Sequence, residues 1–400
     1  MALIVPAFSP EANLKRKVRS HLRTLGFTKD SSGHLVPPAA SKESVRILHR
    51  IQRRERIRAQ KYFIKERWKT LCQYFAAGTD IDPTRVSPRL ELIASGTWQS
   101  DLFRLATLSW SVPVSAGFGR RLRYLVWDNH NAKLMGVVAL GDPVFNLKAR
   151  DDLIGWDVKD RAKRLVNLMD AYVLGAVPPY GQLLGGKLVS CLVRTREVRD
   201  DFAAKYADTQ GIISKEKKEA QLVIVTTSSS LGRSSIYNRL KIDGREYFKS
   251  VGFTGGWGHF HVPDSLFESL RDYLRDVDHK YVDGHKFGEG PNWRLRTIRA
   301  AFDALGFDAD LLRHGVKREV FVCNVAVNAG KVLRGESTKA VYRHLGTVKE
   351  VGALARERWL LGRAERVPEY RDWKVDDFER LLRLVNSSPN PKDLAFPARR

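Results

Sequence analysis

Cysteine is nearly absent: Cys72, Cys191 and Cys323 are the only three in 400 residues. They are odd in number, far apart and never in a Cys-x-x-Cys pair. That argues against a disulfide framework and a thiolate zinc site, and fits a reducing compartment. Long apolar runs are missing too. No stretch approaches the ~18 consecutive apolar residues that a membrane-spanning helix needs. The short apolar N-terminus has no basic lead-in and no hydrophobic segment of useful length, so it does not read as a signal peptide. The expected location is the cytoplasm, with no membrane partner. Internal repeats and low-complexity tracts are lacking. Acid is scarce relative to base: 45 Asp and Glu stand against 69 Lys and Arg, a formal net charge of +24. A basic excess of that size points to a polyanion, with DNA or RNA foremost. An acidic membrane surface, an acidic protein and a merely arginine-rich surface are the competing readings.

What is present is globular in character, with 43% apolar residues. The expectation is an α/β protein: a central mixed sheet flanked by helices, between a basic helical N-terminal region (1–83) and a helical C-terminal region with one further strand (263–400). In residues 1–76, seventeen Lys and Arg face five Asp and Glu. Glu11–Leu25 reads as an amphipathic helix ended by Gly26. Ser41 reads as the N-cap of a long helix reaching about Phe75. The middle region (84–262) opens with one further helix and a loop. Arg123–Trp127, Met135–Leu140, Ala171–Val177 and Leu222–Thr227 are short apolar runs rich in β-branched residues, the first two joined as a hairpin. Lys159–Met169 and Gln182–Tyr206 between them read as helical, and strands alternating with helices indicate an α/β sheet. Beyond Pro263, Ser265–Asp276, Asn292–Leu305 and Ser337–Glu350 read as helices, and Arg318–Val327 as a strand rejoining the sheet.

Five stretches could carry chemistry. The first, Arg50–Lys69, sets Arg53, Arg54, Arg58 and Lys61 in a cationic stripe with Tyr62 close by, suited to phosphates rather than base reading; a solvated helix face is the alternative. In the second, Val177–Lys187, a glycine-containing strand-to-helix turn places Gln182, Gly185, Gly186 and Lys187 where backbone N–H groups can hold a phosphate. It is neither a Walker A loop nor a Rossmann fingerprint. It resembles the pyrophosphate turn of N-acetyltransferases, with Lys187 in place of the final small residue; glycines serving close packing are the alternative. The third puts Tyr237 on a helix before Gly252-Phe253, which resembles the same family's general-acid tyrosine; a packed aromatic is the plainer reading. In the fourth, Gly255–His261, His259 and His261 alternate along a strand and can share a divalent metal, with His279, Asp283 and His285 as further ligands. Followed by Tyr273 on a helix, they resemble HUH-class single-strand nickases; histidines bonded to backbone around a glycine turn are the alternative. The fifth places Arg294 and Arg296 in the first turn of a helix capped by Asn292, suited to phosphate or carboxylate, or to a structural corner.

Several stretches together resemble one family. They are Ala149–Trp156, Asp170–Tyr180, Thr226–Arg239, Gly255–His261, Gly290–Arg296 and His314–Phe321. The chain resembles the DruA family of Druantia defence systems over roughly residues 85–385, and a related domain occurs joined to transposases. The resemblance implies a bacterial anti-phage role, a nucleic-acid context and other Druantia-type subunits as partners. It supplies no reaction and no cofactor. The expected function is therefore a defence component that binds nucleic acid through a basic surface. A metal-dependent nickase or transposase-related enzyme, an acyltransferase-like enzyme, and a scaffold subunit are the alternatives.

Overall fold

A computed structural model describes residues 9–31, 35–36, 38, 41–114, 119–210, 217–259, 261–280, 282 and 293–383. In chain order the main elements are α1 (Pro10–Thr24), α2 (Lys42–Ala59), α3 (Lys61–Leu71), β1 (Pro88–Leu92), α4 (Trp98–Leu108), β2 (Arg121–Asp128), β3 (Lys133–Gly141), α5 (Lys148–Ile154), α6 (Val158–Arg164), β4 (Leu168–Ala176), α7 (Gly185–Cys191), α8 (Arg196–Tyr206), β5 (Ile224–Ser228), β6 (Lys249–Phe253), α9 (Asp264–Asp276), α10 (Trp293–Ala304), β7 (Glu319–Asn324), α11 (Ala329–Arg334), α12 (Val348–Ala355), α13 (Gly362–Arg366) and α14 (Val375–Arg383). The chain divides into two units, residues 1–58 with 255–318, and residues 59–254 with 319–400.

The larger unit is built on a seven-stranded sheet ordered β6-β7-β5-β4-β3-β2-β1. All neighbours are antiparallel except β4 and β5, which run parallel. This is the expected α/β fold with a mixed sheet flanked by helices. Alternation along β2 divides the core. Leu122, Tyr124 and Val126 enter one apolar cluster with residues of α7, α8 and α12, while Leu125 and Trp127 enter the other with residues of α3, α4 and α14. Sheet faces covered on both sides account for the near-continuous apolar runs of β2 and β3. Cys191 and Cys323 are buried as free thiols, and burial raises both, Cys323 to about 12.

The smaller unit contains α1, α2, α9 and α10. Ser9 caps α1 by accepting from the Ala12 N–H, and Leu14, Val18 and Leu22 form its buried stripe. Among the described residues no helix is long and apolar enough to cross a membrane.

Four local expectations need correction. The long helix from Ser41 is two helices, interrupted at Gln60. At 100° per residue Leu48 and Ile64 would stand about 160° apart on one straight helix, too far for both to be covered on one face. No helix spans Ser337–Glu350. There the Asn328 amide bonds the Lys339 carbonyl (2.9 Å) and Val341 N–H (2.8 Å), and the Gln221 amide holds Thr338 and Ala340 in the same manner, so side chains take the backbone groups that a helix would pair internally. Tyr237 does not lie on a helix: the Ser234 hydroxyl accepts the N–H groups of Ile236 and Tyr237 and makes a local turn instead. Neither residues 255–259 nor His261 lies in a strand: Gly256 has φ +72°, and a Cβ there would meet the Gly315 carbonyl carbon at 3.2 Å. Strand β1 and helix α5 are additions to the sequence reading.

Candidate functional site: basic helices and a buried polar constellation

The basic stretch is shared between two helices. Arg53, Arg54 and Arg58 lie on α2, and Lys61 opens α3, so the expected single stripe is interrupted. Arg53 and Arg54 are half-buried, and burial lowers the Arg53 pKa; Arg58 and Lys61 are exposed. On α10, Arg294 is a clamp. It donates to the Asp264 carboxylate (2.6 Å) and the Val262 carbonyl (2.9 Å), with its guanidinium carbon 4.4 Å from the Phe267 ring centre. Arg296, two residues on, is exposed. Asn292, the expected cap, lies outside the described residues.

The histidines turn inward. His261 is buried, with Nε2 2.9 Å from the Leu311 carbonyl and its ring stacked on Phe27 at 5.8 Å. Its backbone carbonyl meets Nε2 of His21 at 2.8 Å, and its ring meets His314 edge-on at 6.1 Å. Burial pushes His259 and His261 down to about 4. Tyr273 sits in the last turn of α9, about 14 Å along the axis from Asp264 at ~1.5 Å per residue, and its hydroxyl donates to the Ala304 carbonyl at 3.4 Å. Among the described residues no group of three His, Cys, Asp or Glu is placed to hold a metal. Asp283 and His285 lie outside the described residues.

The turn before α7 is closely packed. The N–H groups of Gly181, Gln182, Leu183, Gly185 and Lys187 are committed to carbonyls within the turn. Gly185 is buried where a Cβ would come within 2.6 Å of the Tyr180 carbonyl oxygen, and Gly186 is buried beside Ile236. The Lys187 ammonium lies 5.4 Å from the Trp359 ring centre, and the Gln182 carbonyl accepts from Arg363. Close packing therefore accounts for these glycines. Tyr237 is buried between Phe248 and Phe321, and burial raises its hydroxyl to about 12.

A different set of polar groups gathers where β4 and β5 part. Their ladder runs from Leu168↔Ile224 to Asp170↔Thr226 and stops, although β4 continues to Ala176. On that last rung the Thr226 hydroxyl donates to the Asp170 carboxylate at 2.7 Å. Asp170 retains some solvent access while protein crowds it, and this burial raises its carboxyl to about 6 despite the Thr226 hydrogen bond and the Arg150 charge. Arg150, from α5, is fully buried. It is held by Asp151 (2.6 Å) and by the Val144 and Phe145 carbonyls (2.8 Å each). Arg161 meets the same Asp151 at 3.0 Å. On the far side of β5, buried Glu319 accepts from the Ser234 N–H (3.1 Å), the Asn238 amide (3.2 Å) and the Ser250 hydroxyl (2.9 Å), which fixes the 229–240 loop. An acid with a pKa near neutrality can pass a proton either way.

The family model described as Druantia protein DruA matches residues 39–335. A curated Druantia protein DruA from Escherichia coli (strain UMEA 4076-1) is 57% identical over 376 residues, 94% of this chain and 93% of that protein. The chain belongs to the DruA family. No solved structure matches it. The stretches that carried the DruA resemblance supply most of the constellation: Arg150 and Asp151, then Asp170, then Thr226, Ser234, Tyr237 and Asn238, and finally Glu319. Sequence reasoning missed Asp170 because it flanks an apolar run and reads as the polar end of a strand. The signal that could have found it is its place in a DruA stretch beside another stretch rich in hydroxyls.

Proposed function

We propose that this DruA-family chain is an anti-phage defence component of the cytoplasm that binds DNA or RNA through its basic helices. The observation that carries the reading is the set of exposed cations on the first helices. Arg58, Lys61 and Lys65 have no carboxylate partner among the described residues, on a chain with a net charge of +24. Such side chains displace counterions from phosphate and give binding that weakens steeply with salt. Other Druantia-type subunits are the protein partners that family membership suggests. The test is a salt titration of the purified chain against single- and double-stranded DNA and RNA. Tight binding at low salt, with log affinity falling by about 0.7–0.9 per neutralised phosphate per log unit of salt, supports the reading. Absence of binding to all four at low salt sinks it.

Asp170 favours a second reading, in which the chain also catalyses a reaction by proton transfer. Asp170→Asn keeps the shape and the Thr226 hydrogen bond but cannot titrate. If phage protection is lost while nucleic-acid binding and folding persist, chemistry at Asp170 is supported. Retained protection removes it.

A further inference from the structure

An exposed aromatic on a basic helix face has a use that charge alone does not supply. Tyr62 is 79% exposed, more than any other large apolar side chain among the described residues. Scattered exposed apolar side chains are ordinary; the setting of Tyr62 is not. At 100° per residue, Lys61, Lys65, Lys69 and Tyr62 fall within about 100° of one another on α3, one face of the helix. Lys61, Lys65 and Lys69 are exposed. Lys69 shares a surface ion pair with Glu66 at 3.0 Å, while Lys61 and Lys65 have no such partner among the described residues. No ring, cation or hydroxyl partner covers Tyr62 among them either.

The opposite face holds the helix still. Phe63, Ile64 and Leu71 pack against the core, Trp68 at the border of that face stacks on Phe378 at 5.8 Å, and the Arg104 guanidinium lies 4.0 Å from the Phe63 ring centre. The nearby Asp101 carboxylate is engaged by Arg67 at 2.9 Å. The exposed face thus pairs a flat π surface with fixed positive charge. Duplex bases are already stacked on one another, so such a surface finds a partner only in unpaired bases.

We propose that α3 is a platform for single-stranded nucleic acid, on which Tyr62 stacks a base while Lys61, Lys65 and Lys69 neutralise neighbouring phosphates. This rests on the nucleic-acid reading above and adds the strandedness of the ligand. Little sequence preference is expected, because every base offers a π face.

Fluorescence anisotropy on the full chain tests it, with a labelled oligo-dT strand, an abasic strand of the same length and a duplex, each over a salt series. Tyr62→Ala should weaken oligo-dT binding about 5- to 150-fold, the range for one lost base–aromatic stack, with the salt slope and duplex affinity unchanged. Wild-type protein should bind the abasic strand about as weakly as Tyr62→Ala binds oligo-dT. Tyr62→Trp should restore binding, and Lys61→Ala with Lys65→Ala should flatten the salt slope. If Tyr62→Ala binds oligo-dT like wild type, or loses single strand and duplex equally, the platform is overturned while the broader reading stands. If wild type binds no nucleic acid at low salt, both fall together.

Discussion

A carboxylate beside a hydroxyl donor and an arginine ordinarily ionises with ease, yet burial outweighs both at Asp170 and raises its carboxyl to about 6. The folded-state value thus exceeds the ordinary 3.8. Above pH 6 the ionised carboxylate costs stability, and the cost fades as pH falls through about 6. Asp170→Asn is therefore expected to stabilise the fold at pH 8 by on the order of 1–3 kcal/mol, with the gain shrinking below pH 6. Urea midpoints at several pH values check this. Destabilisation at pH 8 would show an ionic contact stronger than the burial penalty. An acid retained against stability fits a functional role better than a packing one. Asp151 is the opposite case. It accepts from Arg150, Arg161 and the Leu147 N–H, so Asp151→Ala leaves Arg150 charged, buried and without its carboxylate. The expected loss is about 3–5 kcal/mol, again read from urea unfolding. Replacing Arg150 and Asp151 together by Met and Leu should recover part of it, because the uncompensated charge is then gone.

Helix α12 shields a sheet edge. Strand β1 is the last strand on its side, beginning at Pro88. Gly352 of α12 lies so close that a Cβ there would sit 2.3 Å from the Pro88 Cγ. Proline cannot swing aside as a flexible side chain would, so Gly352→Ala should force the helix outward and cost about 1–3 kcal/mol. The helix starts with a reciprocal cap in which the Thr347 hydroxyl accepts the Glu350 N–H and the Glu350 carboxylate accepts the Thr347 N–H. Thr347→Ala should cost about 1 kcal/mol. Thermal unfolding of the two variants checks both, and Gly352→Ala should also raise aggregation if the β1 edge is uncovered. The same elements show which parts of the fold were legible in the sequence. The β2–β3 hairpin and β7 were, since buried strands carry unbroken apolar runs. Strand β1 was not: Arg89 and Glu91 interrupt it, and pairing with β2 selects the strand. The Gln60 break was hidden because each half of the 42–71 segment has good helical spacing, and only the rotation between their buried faces separates them. The basic residues of α2 and α3 could be found from charge alone. The Asp170 constellation could not, because its members come from four distant stretches that only the sheet brings together.

Across the whole molecule, buried histidines are concentrated in the smaller unit. His49 and His314 are buried and held down to about 3, and His259 and His261 to about 4. His21 is lowered as well. Burial is the largest cause in each case. Charges of neighbouring groups push the same way: Arg318 acts on His49 and His314, Arg294 on His259, and the other histidines on His261, while Glu55 opposes the shift at His21. The hydrogen bonds that His21 and His261 make to backbone carbonyls also oppose it, without reversing it. The sign follows from linkage. Each ring is neutral in the folded unit and has its ordinary value of 6.5 when unfolded. The unfolded chain therefore binds more protons below that pH, and stability is lost as pH falls from about 6.5 toward 4. Among the described residues the larger unit lacks such a cluster, and Asp170 there gains stability as pH falls from about 6 toward 4. Acid should accordingly loosen α9 and α10 of the smaller unit before the sheet. Hydrogen exchange at pH 7.5 and pH 5, corrected for the intrinsic pH dependence of exchange, should show amides of α9 and α10 losing protection while those of β2 and β3 keep theirs. His314→Gln, which keeps a polar side chain without a titrating ring, should narrow that difference; equal loss in both units would mean that the buried histidines do not govern acid sensitivity.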